Sequence, residues 1–213
     1  MEDVLDLYAE PYDERRPQAC FDESPVQLVS ETRQPLPLQP GRPACYDYEY
    51  KREGTANLFL FVQPLRGWRQ VNVTPRRTKQ DFAQQMKLLV DVYFPEAEVI
   101  RLVVDNLNTH SPAALYEAFA PEEARRITRK LEFHYTPKHG SWLNMAECEF
   151  AVLAKQCLDR RIPDIVTLGR ETAAWQARRN EKGTKIKWCF KTVDARVKLK
   201  SLYPALASGE DRP

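Results

Sequence analysis

The chain has 213 residues, of which 43% are hydrophobic and 29% charged, with a formal net charge of +2. That length suits one domain with a substantial core plus a tail, and no apolar run approaches the roughly 20 residues that a membrane span needs. With no hydrophobic leader and no C-x-x-C pair among Cys20, Cys45, Cys148, Cys157 and Cys189, the sequence argues against a zinc site and for reduced thiols in a cytoplasmic protein.

Six acids and no base occupy residues 1–14, with Val4, Leu5, Tyr8 and Ala9 spaced for one short helix. Pro17–Val29 reads as a strand with Asp22 inside it. Four prolines within residues 34–45 predict an extended loop without regular structure. Ala56–Val62 and Trp68–Val73 are strand-like, and the Pro64–Gly67 turn joins them as a hairpin. Thr78 caps a predicted helix running to about Tyr93, with Phe82, Met86, Leu89 and Val90 near helical spacing. Val99–Asp105 reads as a strand, apolar up to Asp105 but for Arg101, of the kind buried on both faces. Helices over 112–120 and 122–130 precede a strand at Leu131–Tyr135. Further helices are predicted over 143–160, 164–181 and 193–202. Antiparallel strands followed by alternating helix and strand predict an α/β fold, a mixed central sheet with helices on its faces.

Charge is unevenly placed along this order. Residues 151–213 hold 14 Lys and Arg against seven Asp and Glu. Such a surplus describes either a surface that meets a polyanion or a solvated helical tail.

Three carboxylates stand out. Asp105 closes the apolar run Leu102-Val103-Val104, where an acid is costly unless paired or bound to a metal, or simply begins a turn with Asn106. At about 3.6 residues per turn, Glu147 shares a helix face with Leu143, Ala151, Ala154 and Leu158, which predicts that it points towards the core. Glu149 falls near Gln156 and Arg160 and is expected to be solvated. On the first strand, alternation puts Asp22 and Glu23 on opposite faces and leaves the choice between them open. An acid at a strand end and another on a later helix suit hard, oxygen-ligated ions such as Mg²⁺ or Mn²⁺. All three histidines (His110, His134 and His139) lie in the same quarter of the chain.

Phe21-Asp22-Glu23, Val104-Asp105-Asn106-Leu-Asn-Thr-His110 and His139-Gly-Ser-Trp-Leu-Asn-Met-Ala-Glu147 resemble the three acidic motifs of the IS630 group of bacterial insertion-sequence transposases, relatives of the Tc1/mariner superfamily. The likeness runs from about residue 15 to Pro204 and includes Cys157–Pro163. It implies an RNase H-like catalytic domain over 15–181, after an acidic N-terminal segment or linker at 1–14 and before a basic helical extension and tail at 182–213. It also implies that Asp22, Asp105 and Glu147 hold two divalent metal ions, Mg²⁺ or Mn²⁺, and that Glu23 and Glu149 do not. The implied activity is strand cleavage at transposon ends and joining to a TA dinucleotide in target DNA, in a homodimeric complex in the bacterial cytoplasm, associated with the nucleoid. Lys138, His139, Trp142, Arg178 and Arg179 are the expected DNA-binding residues. Lys138, His139 and Trp142 have a structural alternative, in which His139-Gly140 shapes a loop, Trp142 packs in the core and Asn144 or Ser141 caps the helix. Only 21 residues precede Asp22, so the helix-turn-helix units of that group are expected in another reading frame or outside this fragment. Two rival expectations are another RNase H-like nuclease, such as a resolvase, and a non-catalytic DNA-binding remnant of an inactivated element.

Overall fold

The computed structural model describes residues 1–138 and 140–203. A five-stranded sheet runs in the order β3-β2-β1-β4-β5. Strands β1 (Gln18–Glu31), β2 (Tyr50–Gln63) and β3 (Trp68–Thr74) pair antiparallel. Strands β4 (Ile100–Val104) and β5 (Leu131–Tyr135) add parallel on the other side of β1. The predicted mixed sheet and the hairpin are therefore observed. At the hairpin turn, Gly67 has a φ of +71°, and a Cβ there would run into the backbone of Gly183 and Thr184. The proline-rich segment between β1 and β2 carries only isolated bridges, Leu36 to Cys45 and Gln39 to Arg42.

Strand alternation sorts the core into two layers. Ala19, Phe21, Phe59, Phe61, Leu102 and Val104 face one side, under helices α2 (Lys79–Leu88), α3 (Pro112–Ala118) and α4 (Pro121–Arg129). Cys20, Leu58, Leu60, Val62 and Val103 face the other. There they meet α1 (Glu2–Ala9), α5 (Met145–Leu153), α6 (Ile165–Glu181) and α7 (Thr192–Lys198). Each fully buried Leu, Val or Phe in these layers contributes about 1.5–3 kcal/mol of transfer free energy. Among the described residues, no helix is long and apolar enough to cross a membrane.

Local signals decide where the helices begin. Thr78 accepts from the Asp81 backbone while the Asp81 carboxylate accepts from the Thr78 backbone, a reciprocal cap. Asp164 caps α6 through the Thr167 N–H at 2.8 Å. Three predicted helices prove to be composite. The helix reaching Tyr93 ends in a π-turn over Leu89–Tyr93. The one expected as continuous over 143–160 is a 3₁₀ turn (Ser141–Leu143), then α5, then a π-turn (Ala154–Leu158). The last one stops at Lys198, and a 3₁₀ turn follows over Lys200–Leu202.

The acidic first segment is the short helix its spacing predicts, with Val4, Leu5, Leu7 and Tyr8 buried. Its acids stay outside, where Glu2 pairs with Arg196 at 2.8 Å and Asp3 with His134 at 2.9 Å. The Tyr8 hydroxyl donates to the Leu143 carbonyl at 2.8 Å and accepts from the Met145 N–H at 3.4 Å. The first helix thereby braces the start of α5.

Candidate active site

Strand register brings the first two acids together. Cys20 lies opposite Val103 in the parallel β1–β4 pair. Two residues further on, Asp22 continues along β1 and Asp105 leaves the end of β4. Asp22 shares its strand face with Cys20, the face that packs against α5, whereas Glu23 shares the Phe21 face. Asp22, and not Glu23, therefore lies on the side of the sheet that carries the Glu147 helix. Asn144 completes the link. It is fully buried, it caps α5 by accepting from the Ala146 N–H at 3.1 Å, and its amide donates to the Phe21 carbonyl at 2.8 Å. One side chain thus ties the helix bearing Glu147 to the strand bearing Asp22.

Electrostatics registers the same convergence. Burial pushes the Asp22 carboxyl up to about 7, and the charges of Asp105, Glu147 and Glu23 add to that rise against a hydrogen bond from the Glu23 N–H. Among the described residues, no three His, Cys, Asp or Glu side chains are gathered into a compact metal-binding cluster. The donor chemistry nevertheless fits a divalent ion. Hard carboxylate oxygens that raise the cost of ionising one another are what such a cation stabilises.

This rise predicts a pH dependence. Asp22 is harder to ionise in the folded chain than in the unfolded one. Its contribution to stability is complete below the ordinary 3.8 and is lost as pH rises through about 7. In chelator, the stability difference between wild type and Asp22→Asn should therefore shift in favour of the variant between pH 4 and 7. Thermal unfolding across that range checks it, and parallel profiles for the two proteins would contradict it.

A residue network absent from the sequence expectations lies beside Asp105. His110 is fully buried, with its Nδ1 on the Asp105 carboxylate and its Nε2 2.6 Å from Glu23 Oε2. The ring stacks on Phe82 with centroids 4.9 Å apart and meets the edge of Phe21 at 5.4 Å. Burial alone would lower its pKa, but the hydrogen bonds to Asp105 and Glu23 prevail and hold it at about 9. The only signal in the sequence was the position of His110 inside the Asp105 motif.

Glu147 and Glu149 reverse the expected faces of α5. Ala151 and Ala154 are exposed and Glu147 is half-buried, while Glu149 is 1% exposed. The buried stripe is Ala146, Glu149, Leu153 and Cys157. Alanine is too small to mark a face, and the π-turn breaks the 3.6-residue count beyond Leu153. Glu149 is not solvated. Its Oε1 lies 3.0 Å from Arg69 Nε and 2.5 Å from Arg179 Nε, and Arg179 Nη2 donates to Oε2 at 3.0 Å. Fully buried Arg69 also donates to the Gly67 carbonyl at 2.7 Å and the Thr184 carbonyl at 2.8 Å.

The expected DNA-binding residues separate. Lys138 and Arg178 are exposed, and His139 lies outside the described residues. Trp142 does not pack in the core. It is 42% exposed, lies near-parallel to Trp188 with centroids 6.4 Å apart and meets Phe190 edge-on at 5.6 Å. Arg179 turns inward to Glu149 and lies 5.6 Å from the Trp175 ring centre. Gly140 shapes the loop before Trp142, because a Cβ there would meet the Pro137 ring at 2.5 Å.

Residues 17–169 match the model of a family described as DDE superfamily endonuclease. Solved structures with the same fold include the Mos1 mariner paired-end complex with Mn, at 16% identity and a TM-score of 0.55, covering 85% of this chain and 56% of that one. The Mos1 paired-end complex with the left transposon end gives 16% and 0.57, covering 86% and 57%. The Mos1 strand transfer complex gives 15% and 0.57, covering 85% and 54%. The chain thus spans a little over half the length of those proteins. Among curated proteins no sequence match was found.

Proposed function

Because the chain belongs to the DDE superfamily endonucleases, we propose that it is the catalytic domain of a transposase of the IS630 group, cutting DNA at transposon ends and joining the freed 3′-hydroxyl to a TA target. The observation that carries this reading is the burial of Asp22 within reach of the charges of Asp105 and Glu147. Asp22, Asp105 and Glu147 would hold two Mg²⁺ or Mn²⁺ ions. Bound there, such ions supply an activated oxygen nucleophile and a neutralised leaving oxygen. Asn144 and Tyr8 fix the start of the helix that presents Glu147, so its backbone is held in place while the carboxylates close on an ion. Lys138 contacts phosphate and the exposed Trp142 indole stacks on a distorted base; His139 is the third residue proposed to bind DNA. The active unit is a homodimer on paired ends in the bacterial cytoplasm, at the nucleoid. A helix-turn-helix part supplied separately or from a longer chain selects the ends.

The test is a nicking and strand-joining assay on duplex DNA bearing the element's ends, with that DNA-binding part supplied. Cleavage that needs Mg²⁺ or Mn²⁺, followed by joining at TA, supports the reading. Metal-independent cleavage, or none in the complete system, refutes it.

The DNA track follows from the exposed bases. Arg178 and Lys182, with Trp175 and Gln156, line a cleft of about 340 Å³, and Lys185 and Lys187 are exposed nearby in sequence. Reversing the charge of Arg178 and Lys182 together should weaken binding to all sequences alike. It should also reduce the steepness of the log–log salt dependence by about two, roughly one per lost phosphate contact. Fluorescence anisotropy over a salt series measures this, and an unchanged slope assigns the cleft to a solvated face. Arg179 is kept intact in that experiment because Glu149 depends on it.

A further inference from the structure

We infer that His110 and Glu23 are positioning residues for Asp105, a bracket that fixes one carboxylate oxygen and leaves the other for metal. The inference rests on the reading of Asp105 as a metal-holding group. Asp105 needs such a bracket because it sits just past the end of β4, at the head of an irregular segment, with its side chain 23% exposed. An acid in that place has free rotation about both side-chain bonds, and ordering it on binding an ion costs free energy. His110 removes that freedom. Asp105 Oδ1 is held by the ring Nδ1, and Oδ2 makes no hydrogen bond among the described residues.

The ring itself is immobilised from every side. Glu23 Oε2 receives Nε2 at 2.6 Å, and Phe82 and Phe21 pack against the ring. The His110 carbonyl accepts from the Tyr135 hydroxyl at 2.9 Å, and the His110 N–H donates to the Leu107 carbonyl at 3.0 Å. Glu23 is anchored on β1, next to Asp22. The bracket therefore ties the orientation of Asp105 to the strand that carries the first acid. Outer partners that orient metal-ligating carboxylates in this way commonly contribute 10–100-fold in metal affinity. Neither His110 nor Glu23 touches the reacting atoms; both act through Asp105.

The experiment is calorimetric titration of Mn²⁺ into the DNA-free chain, with thermal unfolding in chelator measured alongside. Wild type, His110→Gln, Glu23→Gln and Asp105→Asn are compared. In His110→Gln, whose two N–H donors share one nitrogen and carry no charge, the opposed grip on Asp105 and Glu23 is lost and Mn²⁺ affinity should fall about 10–100-fold. The loss should be smaller, though at least about threefold, in Glu23→Gln, whose amide oxygen still accepts from the ring. A purely structural pair would instead lower the metal-free melting temperature and leave the Mn²⁺ affinity of the folded chain at its wild-type value, which overturns the inference. Should His110→Gln fail to fold, Glu23→Gln decides by the same threefold criterion. Asp105→Asn separates the two levels. If it binds Mn²⁺ as wild type does, the metal reading of Asp105 is itself wrong. If it does not, while the other two variants bind normally, only the bracket fails.

Discussion

Glu147→Gln should abolish strand cleavage while leaving the fold intact. Glutamine keeps the size and one acceptor oxygen but removes the charge that a divalent ion needs. A metal ion at the reacting phosphate contributes several kcal/mol of transition-state stabilisation. Losing about 4 kcal/mol is about a thousandfold in rate. The metal-free protein should be no less stable, because the Glu147 charge is one of those that raise the Asp22 carboxyl. Single-turnover nicking of duplex DNA in Mg²⁺ and in Mn²⁺, with any end-recognising part supplied, measures the loss. Cleavage within tenfold of wild type would remove Glu147 from the site.

The second large effect falls on the neighbouring acid and is one of stability. Glu149 is the counter-charge for Arg69 and Arg179, whose side chains are 0% and 16% exposed. Glu149→Gln leaves two guanidinium groups facing a neutral amide in the interior. Removing one partner of a buried ion pair typically costs about 3–5 kcal/mol. For a domain of this size that lowers the melting temperature by roughly 10 °C. Assayed well below its melting point, this variant should still cut DNA. Urea denaturation is the check. A change under about 0.5 kcal/mol would mean that the arginines relax to other acceptors, such as the carbonyls Arg69 already uses.

These two variants mark how far the sequence was legible. The sheet and the positions of Asp22 and Asp105 could be read because their signals are local. Ile100–Val104 is apolar but for Arg101, and the hairpin is announced by Pro64 to Gly67. The orientation of α5 could not be read in the same way. Its buried Glu149 is stabilised by Arg69 from β3 and Arg179 from α6, and helical periodicity carries no information about partners so distant in sequence. Counting Ala151 and Ala154 as apolar then placed the stripe on the wrong side. The motif likeness pointed to Glu147 on separate grounds, and its charge does reach Asp22. Glu23 and His110 were hidden for a related reason. Their pairing spans most of the sheet-forming sequence and exists only once β1 and β4 lie side by side.

The central claim is that Asp22, Asp105 and Glu147 together hold the metal that cleaves DNA. Its most direct test is anomalous diffraction from crystals of the chain soaked in Mn²⁺. The predicted result is an anomalous peak at metal-ligand distance, about 2.0–2.2 Å, from oxygens of Asp22 and Asp105, with Glu147 coordinating that ion or a second one beside it. Mn²⁺ bound only elsewhere on the chain, or bound at Asp105 with Asp22 and Glu147 turned away, would contradict the claim.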